Sequence, residues 1–342
     1  MNRLASPSIA VVGATGAVGR TMLSILAERE FPASAIRLIA SARSAGAVVD
    51  TPWGEVVVED LATADPAGID IALFSAGGER SKEHVPKFVS AGTTVIDNSS
   101  AFRMDPDVPL LVAQINDAAI ADHQGIIANP NCTTMTLMMA AGPLHAATPI
   151  DRLSVASYQA TGGSGRRGMD VLADEVAVLG SDVDALVGGG WRDPGNDLYA
   201  RPIGFNVVPL AGSITEDGYT DEEWKLVRET HKILDAPGIR VEPTCVRVPT
   251  MVGHGIAATL FFERPMELEE ASGLLSTAPG LQVWSDEKVP TPLDSAGIDD
   301  VLVGRVRQTI GEPGGISLWV VGDNLRKGAA LNAVQIAELL LG

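Results

Sequence analysis

Ser8-Ile9-Ala10-Val11-Val12-Gly13-Ala14-Thr15-Gly16-Ala17-Val18-Gly19 reads as a short apolar strand running into a glycine turn. Arg20 to Glu30 follow with helical spacing, with Met22, Leu23, Leu26 and Ala27 on one face, and Phe31-Pro32 ends the helix. Strand, glycine turn and helix in this order form the setting in which a turn binds a dinucleotide. The glycines allow a tight turn and close approach, and the pyrophosphate rests on the helix N-terminus. The spacing is G-x-x-G-x-x-G rather than G-x-G-x-x-G, and a glycine pattern alone also suits a structural turn. The flanking strand and helix favour the dinucleotide, with Gly13, Thr15, Gly16, Ala17 and Val18 as its contacts.

Outward from this turn, Ile36 to Ala40 reads as a second strand. An NAD site usually carries an acidic residue at its end, for the ribose hydroxyls. Here Ser41-Ala42-Arg43-Ser44 stands instead, and two hydroxyls with a guanidinium suit a 2′-phosphate, so NADP is expected over NAD. An ordinary polar turn is the alternative. Ile69–Phe74, Thr93–Asp97 and Leu110–Val112 read as further strands, with a helix over Ser81–Ala91. This alternation implies an open, mostly parallel sheet. Arg103 follows the strand-end turn Asn98-Ser99-Ser100 and is open to two readings, an anion clamp or a surface arginine.

One of only two cysteines lies in Asn129-Pro130-Asn131-Cys132-Thr133-Thr134, between an apolar strand, Gly125–Ala128, and a helix beginning near Met135. Pro130 stops the strand and Asn131 is a good N-cap. At a helix N-terminus a thiol loses its proton more easily, and the thiolate is the nucleophile. A buried structural cysteine is the competing reading.

The chain has 342 residues, enough for about two domains. No apolar run reaches the ~18 residues of a membrane span, and no signal peptide is visible. Two cysteines, Cys132 and Cys245, make no disulfide framework, so a cytoplasmic, reducing compartment is expected. A formal net charge of −18 argues against nucleic acid or an anionic membrane as partner. No metal site is expected.

After Cys132 the texture changes. Arg152–Gln159 reads as a strand, Asp170–Leu179 as a helix, and Ser181–Pro202 as irregular. Asp221–Ile233 reads as a helix capped by Thr220 or Asp221. Arg240–Val248 and Gly255–Phe262 read as strands flanking a loop that holds His254. Val301–Gln308 and Gly315–Val321 alternate as antiparallel strands, and a last helix, Ala329–Leu340, is expected to pack back on the first domain. The second sheet is therefore mixed or antiparallel. The fold class is α/β: a Rossmann-type, mostly parallel sheet domain over 1–131 and 323–342, and an α+β domain over 132–322.

A nicotinamide cofactor with a cysteine nucleophile points to aldehyde oxidation through a thioester. Of the five histidines only His254 sits in a glycine-flanked loop where a base is presented, although a lone histidine is more often structural.

Seven motifs in one order carry a resemblance over nearly the whole length. They are Gly13–Gly19, Asp97–Arg103, Asn129–Thr134, Ser157–Gly163, Glu222–Lys225, Cys245–Pro249 with Gly253-His254, and Asp323–Ala330. With these the chain resembles the bacterial aspartate-semialdehyde dehydrogenases of amino-acid biosynthesis. The resemblance implies reversible NADP-dependent conversion of L-aspartyl 4-phosphate to L-aspartate 4-semialdehyde, with release of phosphate. It implies Cys132 as nucleophile, His254 as acid–base and Gln159 as the residue that orients the adduct. Arg247 is implied for the substrate α-carboxylate, Glu222 for its amino group, and Arg103, Lys225 and Asn131 for phosphate. Ser41, Arg43, Ser44, Gly162, Gly163 and Asn324 are implied for the cofactor, and a homodimer or homotetramer through the second domain. Glu222 and Lys225 stand three apart on one helix face, a spacing that equally fits a solvated ion pair.

Three departures stand out. Gly255 replaces a serine common after the glycine–histidine pair, Val112-Ala113-Gln114-Ile115-Asn116 replaces Val-Pro-Glu-Val-Asn, and Leu210-Ala211-Gly212 differs after Pro209. N-acetyl-glutamyl-phosphate reductase is the nearest rival and tends to carry Pro-Gly-Cys at the nucleophile, where this chain has Pro130-Asn131-Cys132. A non-catalytic NADP-binding regulator has no need of Cys132, Gln159, Arg247 and His254 together.

Overall fold

A computed structural model describes residues 5–215, 217–285 and 287–341. The chain divides into two compact units, one formed by residues up to 131, 232–235 and from 325 onward, the other by 132–231 and 236–324.

In the first unit, β1 (Ser8–Val12) is the central strand, apolar because both of its faces are covered. It passes through the glycine turn to α1 (Ala17–Glu28), which buries Met22, Leu23, Ile25 and Leu26. The helix starts three residues earlier than the apolar spacing suggested, because Gly16 is already its N-cap. The unit continues with β2 (Ala35–Ala40), β3 (Val48–Thr51), β4 (Gly54–Asp60), β5 (Ile71–Phe74), α2 (Gly78–Ser90), β6 (Thr94–Asp97) and β7 (Ile126–Ala128). Strand order is β3-β4-β2-β1-β5-β6-β7, parallel throughout except for the β3–β4 hairpin at one edge. That hairpin went unread because its outer valines, Val48 and Val57, are exposed and give no core pattern.

The strand expected over Leu110–Val112 does not form. Leu110 makes a single bridge to Ala128, the Val112 carbonyl accepts from the Ile115 and Asn116 N–H groups, and side chains take several of the other backbone groups. Asn116 Oδ1 accepts from the Val112 N–H at 2.8 Å, and Asn332 accepts from the Ala113 N–H and donates to the Leu111 carbonyl at 2.9 and 2.8 Å.

The second unit opens with α3 (Cys132–Ala147), with no polar face and buried from Thr133 to Gly142 and at Leu144. Then come β8 (Ile150–Gln159), α4 (Gly165–Leu179), α5 (Val183–Gly188), α6 (Asp221–Ile233), β9 (Arg240–Arg247), β10 (His254–Phe262), α7 (Leu268–Thr277), β11 (Leu281–Val283), α8 (Pro292–Ser295), β12 (Val301–Gln308) and β13 (Ile316–Gly322). The short helix α5 lies in the stretch expected to be irregular. The sheet is mixed, in order β11-β12-β13-β10-β8-β9. Strand β8 separates β9 from β10, running parallel to the first and antiparallel to the second. It thus brings the ends of β8, β9 and β10, with Gln159, Arg247 and His254, side by side.

The chain returns to the first unit as α9 (Leu331–Leu339), whose Leu331, Val334, Ile336 and Ala337 share a core with Ile9 and Val11 of β1 and Met22, Ile25 and Leu26 of α1. Among the described residues no helix is long and apolar enough to cross a membrane.

Candidate active site

Cys132 is the first residue of α3, as its flanking sequence implied, and it is half-buried. Its Sγ lies 3.2 Å from His254 Nε2. His254 is the first residue of β10 rather than a loop residue, and it is fully buried. On the far side of the ring, Nδ1 accepts a 3.0 Å hydrogen bond from the Ala160 N–H. Burial, and then the nearby Arg247 guanidinium, push the imidazole down to about 3, against a smaller opposing pull from the Gly253 backbone. The ring is therefore neutral near pH 7. Because Nδ1 is an acceptor, its single proton sits on Nε2, facing sulfur.

The Ala160 peptide serves two residues, since its carbonyl accepts a 2.8 Å bond from Arg247 Nη1. Arg247 is only 9% exposed, and its Nε finds no hydrogen-bond partner among the described residues. The guanidinium lies 5.8 Å from the centre of the Tyr199 ring. Glycines make room for this clustering. A Cβ on Gly162 would lie 2.5 Å from the Met251 carbonyl oxygen, and one on Gly163 would lie 3.2 Å from Arg247 Nη1 and 3.5 Å from the His254 ring. The turn is stitched to the loop before His254 by the Thr161 and Gly162 N–H groups, which donate to Thr250 and Met251. The Gly253 N–H donates to Asn324 Oδ1 at 2.9 Å.

Gln159, buried at the end of β8, donates to Glu222 Oε1 at 3.3 Å and to Ser157 Oγ at 3.2 Å. Lys225 Nζ lies 3.3 Å from Glu222 Oε2 and 2.6 Å from Asp221 Oδ2. Its two carboxylate partners hold it above its ordinary value against the cost of burial. Sequence reasoning placed Glu222 and Lys225 on one face but missed Asp221 as a partner. Cys245 is buried, and burial pushes its thiol up to about 12, which leaves Cys132 as the reactive sulfur.

In the first unit Arg103 is buried, so the surface reading fails. Its Nε donates to the Asn129 carbonyl at 2.9 Å and its Nη2 to the Asn98 carbonyl at 2.8 Å, which ties together the loops after β6 and β7. Asn131 is buried too.

Two family models match: "Semialdehyde dehydrogenase, NAD binding domain" over residues 8–123 and "Semialdehyde dehydrogenase, dimerisation domain" over 142–327. The aspartate-semialdehyde dehydrogenase of Streptomyces akiyoshiensis is 51% identical, covering 97% of this chain and 98% of its own. That of Mycolicibacterium smegmatis is 49% identical over the same shares. The chain belongs to the aspartate-semialdehyde dehydrogenase family. The solved aspartate semialdehyde dehydrogenase II of Vibrio cholerae, complexed with ASA, superposes with a TM-score of 0.92 at 43% identity, covering 98% of each chain. Aspartate-semialdehyde dehydrogenases are oxidoreductases that reduce aspartyl phosphate to the semialdehyde with NADPH, and the dimerisation domain supports a dimer.

The first unit of this family member fits the cofactor. Gly13, at φ +89°, leaves no space for a side chain, since a Cβ would lie 2.3 Å from the Ser75 carbonyl oxygen. Gly16 caps α1 without a side-chain bond, and the first turn holds no acidic residue, which suits a pyrophosphate. Ser41, Arg43 and Ser44 lie in the turn after β2, and Ser44 Oγ is 3.2 Å from Thr15 Oγ1, which joins that turn to the glycine turn. No acidic residue stands at the end of β2. The family departure at Gly255 also has a physical cause: a Cβ there would lie 2.3 Å from the Trp319 ring. Gln114, the other marked departure, adopts φ +79° in the loop held by Asn116 and Asn332.

Proposed function

We propose that the chain interconverts L-aspartyl 4-phosphate and L-aspartate 4-semialdehyde reversibly, with NADP as cofactor and release of inorganic phosphate, through a thioester on Cys132. The observation that carries this reading is the 3.2 Å approach of Cys132 Sγ to His254 Nε2 at the start of α3. In the biosynthetic direction Sγ bonds to the acyl carbon and the carbon–oxygen bond to phosphate breaks. When bound, the cofactor would supply the hydride as NADPH in this direction and accept it as NADP+ in the other. When the thiohemiacetal collapses, the carbon–sulfur bond breaks and the electron pair returns to sulfur.

His254 donates its Nε2 proton as a hydrogen bond to the thiolate and then to the adduct oxygen. Acid–base work by the ring needs a second proton on Nδ1, and that requires the Ala160 N–H bond to open. Arg247, with Nη1 committed to Ala160 and Nε without a partner among the described residues, presents its remaining edge to the α-carboxylate. Glu222, steadied by Gln159, takes the amino group, and Gln159 orients the adduct. Arg103, Asn131 and Lys225 are assigned to phosphate. Ser41, Arg43, Ser44, Gly162, Gly163 and Asn324 are assigned to the cofactor, with 1–131 and 323–342 as its domain and 132–322 as the substrate and dimerisation domain. A homodimer or homotetramer in the cytoplasm completes the reading.

The test is phosphate-dependent NADP reduction with aspartate semialdehyde, run in parallel with NAD and with N-acetylglutamate semialdehyde. Cys132→Ala should abolish it, and iodoacetamide should label Cys132 but not Cys245. Retention of more than a few per cent of activity in Cys132→Ala, or preference for the acetylated substrate, would sink the reading.

A further inference from the structure

We propose that Glu223 is a positioning residue for substrate binding: its carboxylate ties the first turn of α6, with Glu222 and Lys225, to strand β9, with Arg247. Glu223 is 9% exposed. Its Oε2 accepts the Thr220 N–H at 2.8 Å, and the Thr220 hydroxyl accepts the Glu223 N–H at 3.2 Å, a reciprocal cap on α6. The same carboxylate does a second thing that no cap requires. Its Oε1 accepts the Cys245 N–H at 2.8 Å.

Strand β9 is the edge of the six-stranded sheet, so every second N–H points away from β8. On that outer side Cys245 is bound by Glu223, and Arg247, two residues on, donates its N–H to Val208 at 2.8 Å. Beside the Gln159–Glu222 bond from β8, the spacing between the residue assigned to the substrate amino group and the residue assigned to its carboxylate is therefore held by one buried carboxylate with a bond on each side. Two charged ends of one small substrate are held together, so a shift of a fraction of an ångström between α6 and β9 mismatches both at once.

The inference rests on Glu222 and Arg247 holding substrate, and its test separates the two claims. Glu223→Asp is the informative variant. An aspartate at this helix position still closes a capping box, as Asp294 does with Thr291 in α8, but it is one methylene too short to reach Cys245. The variant should keep its melting temperature, its KM for NADP and its rate of Cys132 alkylation. Its KM for aspartate semialdehyde should rise about tenfold or more. Thr220→Ala is the control for helix stability: it removes the hydroxyl of the cap and should lower the melting temperature with the semialdehyde KM unchanged. Glu223→Gln, which keeps one acceptor and turns an NH2 toward the other N–H, should raise the same KM. A semialdehyde KM within twofold of wild type in folded Glu223→Asp overturns the proposal, as does a parallel loss in every parameter. Arg247→Lys is measured alongside. If it raises the semialdehyde KM and Glu223→Asp does not, only the role of Glu223 fails. If it leaves that KM untouched, the substrate reading itself fails.

Discussion

His254 shows how one hydrogen bond fixes a proton. With the Ala160 N–H on Nδ1 and burial around the ring, the folded chain leaves the imidazole neutral down to about pH 3, whereas an unfolded histidine titrates near 6.5. Between these values the unfolded chain binds a proton that the native chain refuses. This contribution to stability is complete above about pH 6.5 and is lost as the pH falls toward 3, at up to about 1.4 kcal/mol per pH unit. Urea midpoints between pH 7 and 5 should therefore fall more steeply for the wild type than for His254→Gln, and equal slopes would show that the ring ionises normally. Gly255 makes a second residue-scale case. Its would-be Cβ falls within 2.3 Å of Trp319, whose Nε1 is anchored to the Pro290 carbonyl at 2.9 Å. Gly255→Ser should cost about 1–3 kcal/mol by overpacking, and adding Trp319→Leu should recover part of it. A melting temperature unchanged in the single variant would refute the clash. Sequence reading flagged this position as a departure but gave no reason for it, because the partner lies 64 residues away on β13.

At the scale of elements, strands and helices with clear periodicity were legible: β1, α1, β2, β5, β6, β8, α6, β9, β10, β12 and β13 all stand where apolar spacing put them, give or take a few residues. What misled was an apolar tripeptide without period. Leu110-Leu111-Val112 is buried as a strand would be, yet the Asn116 and Asn332 side chains take the Leu110 and Leu111 carbonyls and the Val112 N–H in place of a neighbouring strand. Asn332 is fully buried. It accepts from Ala113, donates to Leu111, and donates at 2.6 Å to Asn129 Oδ1, and Asn129 donates in turn to Asn98. Removing it strands several buried polar groups at once, so Asn332→Ala should destabilise the first unit by roughly 3 kcal/mol or more, as measured by urea unfolding. A loss under 1 kcal/mol would mean that water replaces it at little cost. The site followed the same division. Cys132, with a helix starting at it, was visible in the local sequence. The Ala160 peptide and the Asp221 partner of Lys225 were not, because a backbone amide carries no residue-type signal.

For the whole molecule, the motifs at opposite ends of the chain were readable one by one, but their meeting was not. A sequence marks Gly13 and Ala330 equally well and does not show that the chain brings them together across the 316 residues between them. In the fold, α9 supplies Leu331, Val334, Ile336 and Ala337 to the core built on β1 and α1, and Arg326 pairs with Glu28 at 2.5 Å. A chain ending at residue 324 should therefore lose the fold of its first unit, seen as fast proteolysis of that half. Protection equal to the full chain would contradict the assignment of α9 to that core.

The order of synthesis gives this arrangement a further consequence. The strands of the nucleotide-binding half are synthesised long before α9, which brings Leu331, Val334, Ile336 and Ala337 to their core. A nascent chain that stops before α9 should therefore carry that half with an apolar seam open to proteases, and faster digestion of stalled than of completed chains would show it.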